Sequence, residues 1–324
     1  MKLRDRGNWH LPAPPAAGAR RQASEKDLML AHHQEDLTMK LASVELRGKK
    51  TFGAIVGSGF VDLGARLGAS CPDLIALLET DGLARAREIV GALGQGPADA
   101  QLDELLYLPV NPRRDMRMFA LGWAYKAHQL EAGKEDLTHP NMFSKHPQSL
   151  VGHGQPIVRP RLSDRFDFEG EVAIVIGKGG RHIPAAQAMA HIGGYSIVMD
   201  GSVRDYQKHS VTAGKNFDAS SSFGPWLVTP DELGDPKKMV LSTRLNGQSM
   251  QHSGFDLMAW DLAELIAYVS GICALEPGDV ISTGTPGGVG HRRDPQVFMK
   301  AGDVLEVEVS GIGVLRNTVV DEAA

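Results

Sequence analysis

The segment Phe168-Glu169-Gly170-Glu171-Val172-Ala173-Ile174-Val175-Ile176-Gly177 sets two carboxylates one residue apart at the head of an apolar run. The run is rich in β-branched residues and reads as a strand, whose side chains alternate faces with period two. Glu169 and Glu171 therefore share one face, with Val172, Ile174 and Ile176 on the other. Two like charges beside an apolar run need a compensating cation, or one of them must keep a proton. A third carboxylate, Asp200, closes the strand-like stretch Ser196-Ile197-Val198-Met199. If that stretch lies beside the first, the three converge. Oxygen-only ligation selects a hard divalent ion, Mg²⁺, Mn²⁺ or Ca²⁺, over zinc. The same alternation also suits two glutamates on a solvated strand face, and spacing alone does not choose.

Other polar residues could serve such a centre. Were Asp200 to Gln207 helical, Asp200, Arg204 and Gln207 would fall on one face and could form a metal-plus-oxyanion site. A surface ion pair beside a solvated amide fits equally. Lys215, in Gly214-Lys215-Asn216-Phe217-Asp218, follows a permissive glycine and by itself reads as a loop lysine. In Gly122-Trp123-Ala124-Tyr125-Lys126-Ala127-His128-Gln129-Leu130-Glu131, His128 and Glu131 stand three apart. On one helical turn the carboxylate could orient and polarise the imidazole as a general base, although pairs at this spacing are common. Thr283-Gly284-Thr285-Pro286-Gly287-Gly288-Val289-Gly290 is a glycine-rich loop after a strand. It lacks the Gly-Lys-Ser/Thr ending of a nucleotide-phosphate loop. It is a tight turn, or a loop whose amides and hydroxyl meet a small carboxylate.

These residues must be positioned by a chain of 324 residues, long enough for one large or two modest domains. With 42% hydrophobic and 23% charged residues the composition is globular and argues against disorder. A net charge of −5 gives no electrostatic reason to seek nucleic acid or an anionic membrane, and no apolar run reaches membrane-spanning length. Cys71 and Cys273, in no redox or metal spacing, suit a reducing cytoplasm. Residues 1–38, with Pro12, Pro14, Pro15 and a polar run to Thr38, read as a flexible leader. Strands are expected at Lys40–Leu46, Thr51–Val56, Phe60–Leu63, Met118–Leu121, Phe168–Ile176, Tyr195–Met199, Val240–Leu245, Asp279–Ser282, Val304–Val309 and Val314–Val319. Helices fit Leu74–Leu78, Leu83–Leu93, Pro184–His191 with Gly193-Gly194 as its stop, and Leu262–Ile272. Strands and helices do not alternate regularly, so a doubly wound parallel sheet is disfavoured against a mixed, mostly antiparallel architecture.

Taken together, the segments resemble the fumarylacetoacetate hydrolase (FAH) family in content and chain order. The markers are Phe168-Glu169-Gly170-Glu171 with its apolar run, Val203-Arg204-Asp205-Tyr206-Gln207, Gly214-Lys215-Asn216-Phe217-Asp218, Gly224-Pro225-Trp226-Leu227-Val228-Thr229, Leu275-Glu276-Pro277-Gly278-Asp279-Val280 and Thr283-Gly284-Thr285-Pro286. The resemblance is strong from about Met118 to Val319, weaker back to Met39, and does not reach the leader. It implies an α+β, β-rich fold: a mixed β-roll catalytic domain, residues 111–324, behind a small β-containing domain, residues 39–110. It also implies a homodimer and a bound Mg²⁺, with Mn²⁺ or Ca²⁺ as substitutes. By matching position it makes Glu169, Glu171 and Asp200 metal ligands, and Arg204, Gln207 and Lys215 the groups that stabilise oxyanions. Thr285 and Tyr125 become substrate contacts, and His128 with Glu131 the pair on a mobile segment that closes over the substrate. Many members carry Gly-Leu-Asn-Tyr where this chain has Gly122-Trp123-Ala124-Tyr125, a departure in the pocket wall. The activity implied is metal-dependent hydrolysis of a C–C bond in acylpyruvate-type 2,4-dioxo acids such as fumarylpyruvate, in aromatic or organic-acid catabolism. Decarboxylation, hydration or isomerisation of 2-oxo dicarboxylic acids is the alternative. A catalytically silent acid-binding protein is a second alternative, against which every matched polar position is occupied.

Overall fold

The computed structural model describes residues 39–80, 82–94, 96–133 and 137–323, and the expected leader, residues 1–38, lies outside them. The alternating segments at the start form an antiparallel meander of β1 (Lys40–Leu46), β2 (Lys49–Val56) and β3 (Gly59–Asp62). Asp62 and Asp73 start the helices Leu63–Leu67 and Leu74–Glu79 by accepting from the amides of Ala65 and Ala76. A third helix, Leu83–Leu93, stops at Gly94, whose φ is 51°. Two short strands, β4 (Ala100–Gln101) and β5 (Leu106–Tyr107), then return to β3 and β1.

The rest of the chain supplies β6 (Met118–Gly122), β7 (Asn141–Lys145), β8 (Leu150–Val151), β9 (Ile157–Arg159), β10 (Phe166–Asp167), β11 (Gly170–Ile176), β12 (Ile192–Met199), β13 (Ser202–Val203) and β14 (Ser221–Val228). It ends with β15 (Val240–Leu245), β16 (Gln248–Gly254), β17 (Val280–Ser282), β18 (Val304–Val309) and β19 (Gly313–Asp321). The main sheet runs β4-β3-β2-β1-β14-β12-β11-β17-β6-β7, with β5 on β1 and β8 on β14. A second sheet runs β16-β15-β18-β19-β9, and β10 pairs with β13 alone. Most neighbours are antiparallel; β17–β6, β14–β8 and β19–β9 are parallel. The early meander is thus the outer part of the sheet that carries β11. No helix among the described residues is long and apolar enough to cross a membrane.

The central strand β11 is buried along its whole length. Val172, Ile174 and Ile176 join one core with Leu265, Ile266 and Val269 of the helix Leu262–Ile272. Ala173 and Val175 join another with Leu74, Ile75 and Leu77. A strand buried on both faces reads as a continuous apolar run, and each fully buried Val or Ile contributes ~1.5–3 kcal/mol. Its head therefore cannot be a solvated face. Two local expectations are corrected. Gly193 and Gly194 do not end a helix but lie inside β12, after the short helix Ala185–Ala188 and a 3₁₀ turn. A Cβ on Gly193 would stand 2.8 Å from the Cα of Gly177, so glycine there lets the ends of β11 and β12 close. Nor is Asp200 to Gln207 one helix: Ser202 and Val203 pair with Asp167 and Phe166, and only Tyr206–Lys208 turns as 3₁₀. Strand pairing overrides the local spacing.

Candidate active site and metal centre

In the β11–β12 register Gly170 faces Met199 and Glu171 faces Val198, which sets Glu169 beside Asp200 just beyond the pairing. The Asp200 amide donates to the Glu169 carbonyl at 2.8 Å. Carboxylate oxygens of Glu169, Glu171 and Asp200 lie within 4.8 Å of one another, and Glu171 and Asp200 are 1% and 0% exposed. Three basic groups crowd them. Lys215 Nζ is 2.5 Å from Glu169 and 2.6 Å from Asp200, and Lys145 Nζ is 2.8 Å from Asp200 Oδ1. Arg204 Nη2 is 2.7 Å from Glu169 and 2.6 Å from a fourth carboxylate, Asp167.

Four carboxylates thus face three basic groups, and the shortfall falls on Glu171. Burial first, and Asp200 next, push its carboxyl up to about 8. Burial also acts on Glu169, but Lys215 and Arg204 outweigh it and hold that carboxyl at about 2. The Lys215 ammonium, pulled down by burial, is carried above its ordinary range by Asp200 and Glu169. For Lys145 burial prevails over Asp200 and lowers it. Both hydrogen bonds to Glu171, from the Ser282 hydroxyl at 2.5 Å and the Gly284 amide at 3.1 Å, reach Oε2. An all-oxygen donor set one positive charge short fits a hard divalent ion, which would replace the Glu171 proton.

Lys215 closes the helix Val211–Lys215, which Ser210 caps. A Cβ on Gly214 would lie 2.3 Å from Gln207 Cγ, so only glycine seats this helix on the Tyr206–Lys208 turn and brings Gln207 beside Lys215. Arg204 Nη1 donates to Gln207 Oε1 at 3.1 Å. Across the cavity, the helix Lys126–Ala132 places His128 Nδ1 3.4 Å from Glu131 Oε2. Glu131 Oε1 accepts the Gly288 amide at 3.3 Å. The chain enters this helix through Trp123 at φ 54°, left-handed backbone that costs a bulky residue ~1–3 kcal/mol. Gln129 donates to the Trp123 carbonyl at 2.8 Å, and the Ala259 amide to the Ala124 carbonyl at 2.7 Å. Between helix and cluster lies a cavity of about 260 Å³. His128, Glu169, Arg204, Gln207, Lys215 and Thr285 form its polar side, with Leu121, Trp123, Phe143 and Val211 opposite in character.

Of the residues singled out from the sequence, His128, Glu169, Arg204, Gln207, Lys215 and Thr285 line this cavity; Glu171 and Asp200 stand behind Glu169 in the cluster, and Glu131 beside His128. Tyr125, expected as a substrate contact, is buried in the core, and among the described residues its hydroxyl meets no hydrogen-bonding partner. After the left-handed turn at Trp123 it bridges to Met258, which directs the ring inward. The Thr285 hydroxyl lines the cavity yet donates to the Gly170 carbonyl at 2.9 Å and accepts from Gln251 at 2.8 Å. The glycine-rich loop does offer amides to carboxylates, but to the protein's own: Gly284 to Glu171, Gly288 to Glu131, Gly290 and His291 to Asp167. Sequence reasoning missed Asp167, Lys145 and Gln251. Asp167 carried a signal, since alternation puts it on the face of Glu169 and Glu171; Lys145 and Gln251 carried none.

Residues 117–320 match the family described as fumarylacetoacetate (FAA) hydrolase, C-terminal. The chain is 37% identical over 270 residues to the oxaloacetate tautomerase Fahd2a, mitochondrial, of Rattus norvegicus, covering 82% of this chain and 85% of that protein. It is 39% identical over 207 residues to a 2,4-didehydro-3-deoxy-L-rhamnonate hydrolase of a Sphingomonas species, covering 63% and 73%. Its fold is similar to that of a maleylpyruvate hydrolase from a Sphingobium species, solved with manganese(II) and pyruvate. That match has a TM-score of 0.74 and 27% identity and covers 88% of this chain and all of the other. A fumarylacetoacetate hydrolase from Exiguobacterium antarcticum gives 0.71 at 32% identity with the same coverage, 88% and 100%. These relatives are enzymes acting on small organic acids, tautomerases and hydrolases alike. By sequence and by fold, the chain belongs to the fumarylacetoacetate hydrolase family.

Proposed function

We propose that this chain is a divalent-metal-dependent hydrolase of a C–C bond in acylpyruvate-type 2,4-dioxo acids. The observation that carries this reading is the His128–Glu131 pair, set across one cavity from the carboxylate cluster. Glu169, Glu171 and Asp200 would hold Mg²⁺, or Mn²⁺ or Ca²⁺ in its place. The ion would supply Lewis acidity to the carboxylate and 2-oxo oxygens of the substrate. Glu131 holds the imidazole by Nδ1 and leaves the other ring nitrogen to take a proton from water. The water oxygen bonds to the distal carbonyl carbon, and the bond between that carbon and C3 breaks. The electron pair passes to C3 and the 2-oxo oxygen, where Lys215, Arg204 and Gln207 offset the growing charge. The proton then returns from His128 to C3, giving pyruvate and a carboxylic acid. Thr285, its hydroxyl tied to Gly170, would shape the carboxylate end of the pocket. The same reading includes a homodimer and, from two unpaired thiols, a cytoplasmic site of action, whereas the rat relative is mitochondrial.

The similarity to the rat oxaloacetate tautomerase favours a second reading. The same groups would move one proton between C3 and the 2-oxo oxygen, with no C–C bond broken. One experiment separates the two. A panel of acylpyruvates and oxaloacetate is assayed with Mg²⁺ or Mn²⁺, with and without EDTA, for pyruvate release and for decay of the enol absorbance. Pyruvate from an acylpyruvate, lost with EDTA, is expected. Enol decay of oxaloacetate with no acylpyruvate cleaved would replace the hydrolase by the tautomerase.

A further inference from the structure

Asp167 has no part in the chemistry above, yet its fully buried carboxylate carries five contacts. Oδ1 accepts the amides of Phe168 and Gly290, both at 2.8 Å. Oδ2 accepts the His291 amide at 2.9 Å and Arg204 Nε at 2.8 Å, with Arg204 Nη2 at 2.6 Å. One side chain thus ties two walls of the cavity: the guanidinium beside the cluster, and the loop that carries Thr285. The approach is close, since a Cβ on Gly290 would lie 2.7 Å from Oδ1. Asp167 also shares Arg204 with Glu169, whose Oε1 is 2.7 Å from the same nitrogen. Without that share, Glu169 would be the one carboxylate left to draw the guanidinium, and Nη1, now on Gln207 at 3.1 Å, would turn away from the cavity.

We infer that Asp167 is a positioning residue: it holds Arg204 and the Thr285 loop in the register that receives the carboxylate end of the substrate. The inference rests on the proposed role of Arg204 at a substrate oxyanion. It predicts a sign opposite to plain electrostatics. Neutralising Asp167 makes the cavity more positive, which by charge alone would tighten an anionic ligand. Loss of position loosens it, because a guanidinium binds oxyanions through a fixed fork. Asparagine would also aim an amide donor at donors that need an acceptor.

The probe is oxalate, titrated calorimetrically into the Mn²⁺-loaded full chain. Asp167→Asn should weaken oxalate by about 10–100-fold, the range for losing a group that orients a ligand-binding residue, and by more than it weakens Mn²⁺. In an Arg204→Gln background, Asp167→Asn should add little further loss, since it acts through Arg204. Oxalate binding equal to or tighter than the parent, or losses that multiply across the two substitutions, would overturn the inference. Should Asp167→Asn lose its cooperative thermal transition, Asp167→Glu replaces it: the charge is kept and displaced, so weakened oxalate supports positioning and parental affinity refutes it. If the parent itself binds no oxalate, the reading of the site under the proposed function falls instead.

Discussion

Glu169, Glu171 and Asp200 sit at the adjoining ends of two paired strands in the middle of a sheet, braced by two lysines, an arginine and a backbone amide. His128 and Glu131 come from a seven-residue helix whose Leu130 is 61% exposed. A helix this short has little stability of its own. Its place depends on a few tethers: Gln129 to the Trp123 carbonyl, Ala259 to Ala124 and Gly288 to Glu131. Buried like charges must be fixed to be tolerated, whereas a base has to be near only while substrate is bound. The cavity thus joins a cluster buried at the heart of a sheet to a short helix that buries His128 and Gln129 and leaves Leu130 exposed.

The sharpest way to break this division is to alter one side and read the other. Glu171→Gln should weaken Mn²⁺ by about 100-fold or more and remove turnover with it, because one of the three proposed ligands is gone. The metal-free protein should unfold at no lower temperature, since the Glu171 carboxyl, raised to about 8, already keeps its proton at neutral pH and glutamine is its neutral counterpart. Unchanged Mn²⁺ affinity by calorimetry would remove the cluster from the chemistry. Next in size, His128→Ala should lower the turnover number ~10²–10⁴-fold, leaving Mn²⁺ and oxalate affinities nearly intact. Glu131→Gln should show a smaller loss of the same kind. A parallel fall in Mn²⁺ affinity would mean that the two regions act as one unit.

A pH series sharpens the contrast further. With the Glu171 carboxyl raised from 4.5 to about 8, the folded chain keeps a proton that the unfolded chain has lost across that window. Metal-free stability from this group therefore falls as pH rises from 4.5 to about 8. Glu169, held at about 2, works the other way: its contribution is present above 4.5 and is lost as pH falls toward 2. On the proposed ligation Mn²⁺ displaces the Glu171 proton, so the rise in melting temperature it causes should grow across the first window. A flat response in thermal unfolding would show that Glu171 does not meet the ion. The smallest effect is expected at the start of the chain. Removing residues 1–38 should leave turnover unchanged, because β1 is anchored from Met39 onward by the Thr229 amide.

Elements with a strong period were legible residue by residue. Lys40–Leu46, Val240–Leu245 and Val304–Val309 have the expected bounds, as do the helices Leu83–Leu93 and Leu262–Ile272. The carboxylates were legible because period two is a property of any strand. Arg204 and Gln207 do meet, 3.1 Å apart, but through a strand and a turn, since pairing with β10 is non-local information. Lys145 was illegible for the same reason: its partner stands 55 residues away, across a fold that only β6 and β7 create. Tyr125 came from the resemblance alone, and no pattern in Gly122-Trp123-Ala124-Tyr125 shows that its ring lies buried in the core.

The loop after β17 has a spectroscopic consequence. Its amides, not its side chains, hold Glu171, Glu131 and Asp167, through Gly284, Gly288, and Gly290 with His291. Each carboxylate thus has a reporter proton in a short stretch of main chain, three of the four on glycines, which give characteristic signals. Loading with Mg²⁺, which is diamagnetic, should move the Gly284 resonance first. A ligand that draws on the His128 helix should move Gly288, and one that pulls Arg204 should move Gly290 and His291. One amide spectrum would then distinguish ion, base and guanidinium within a single titration.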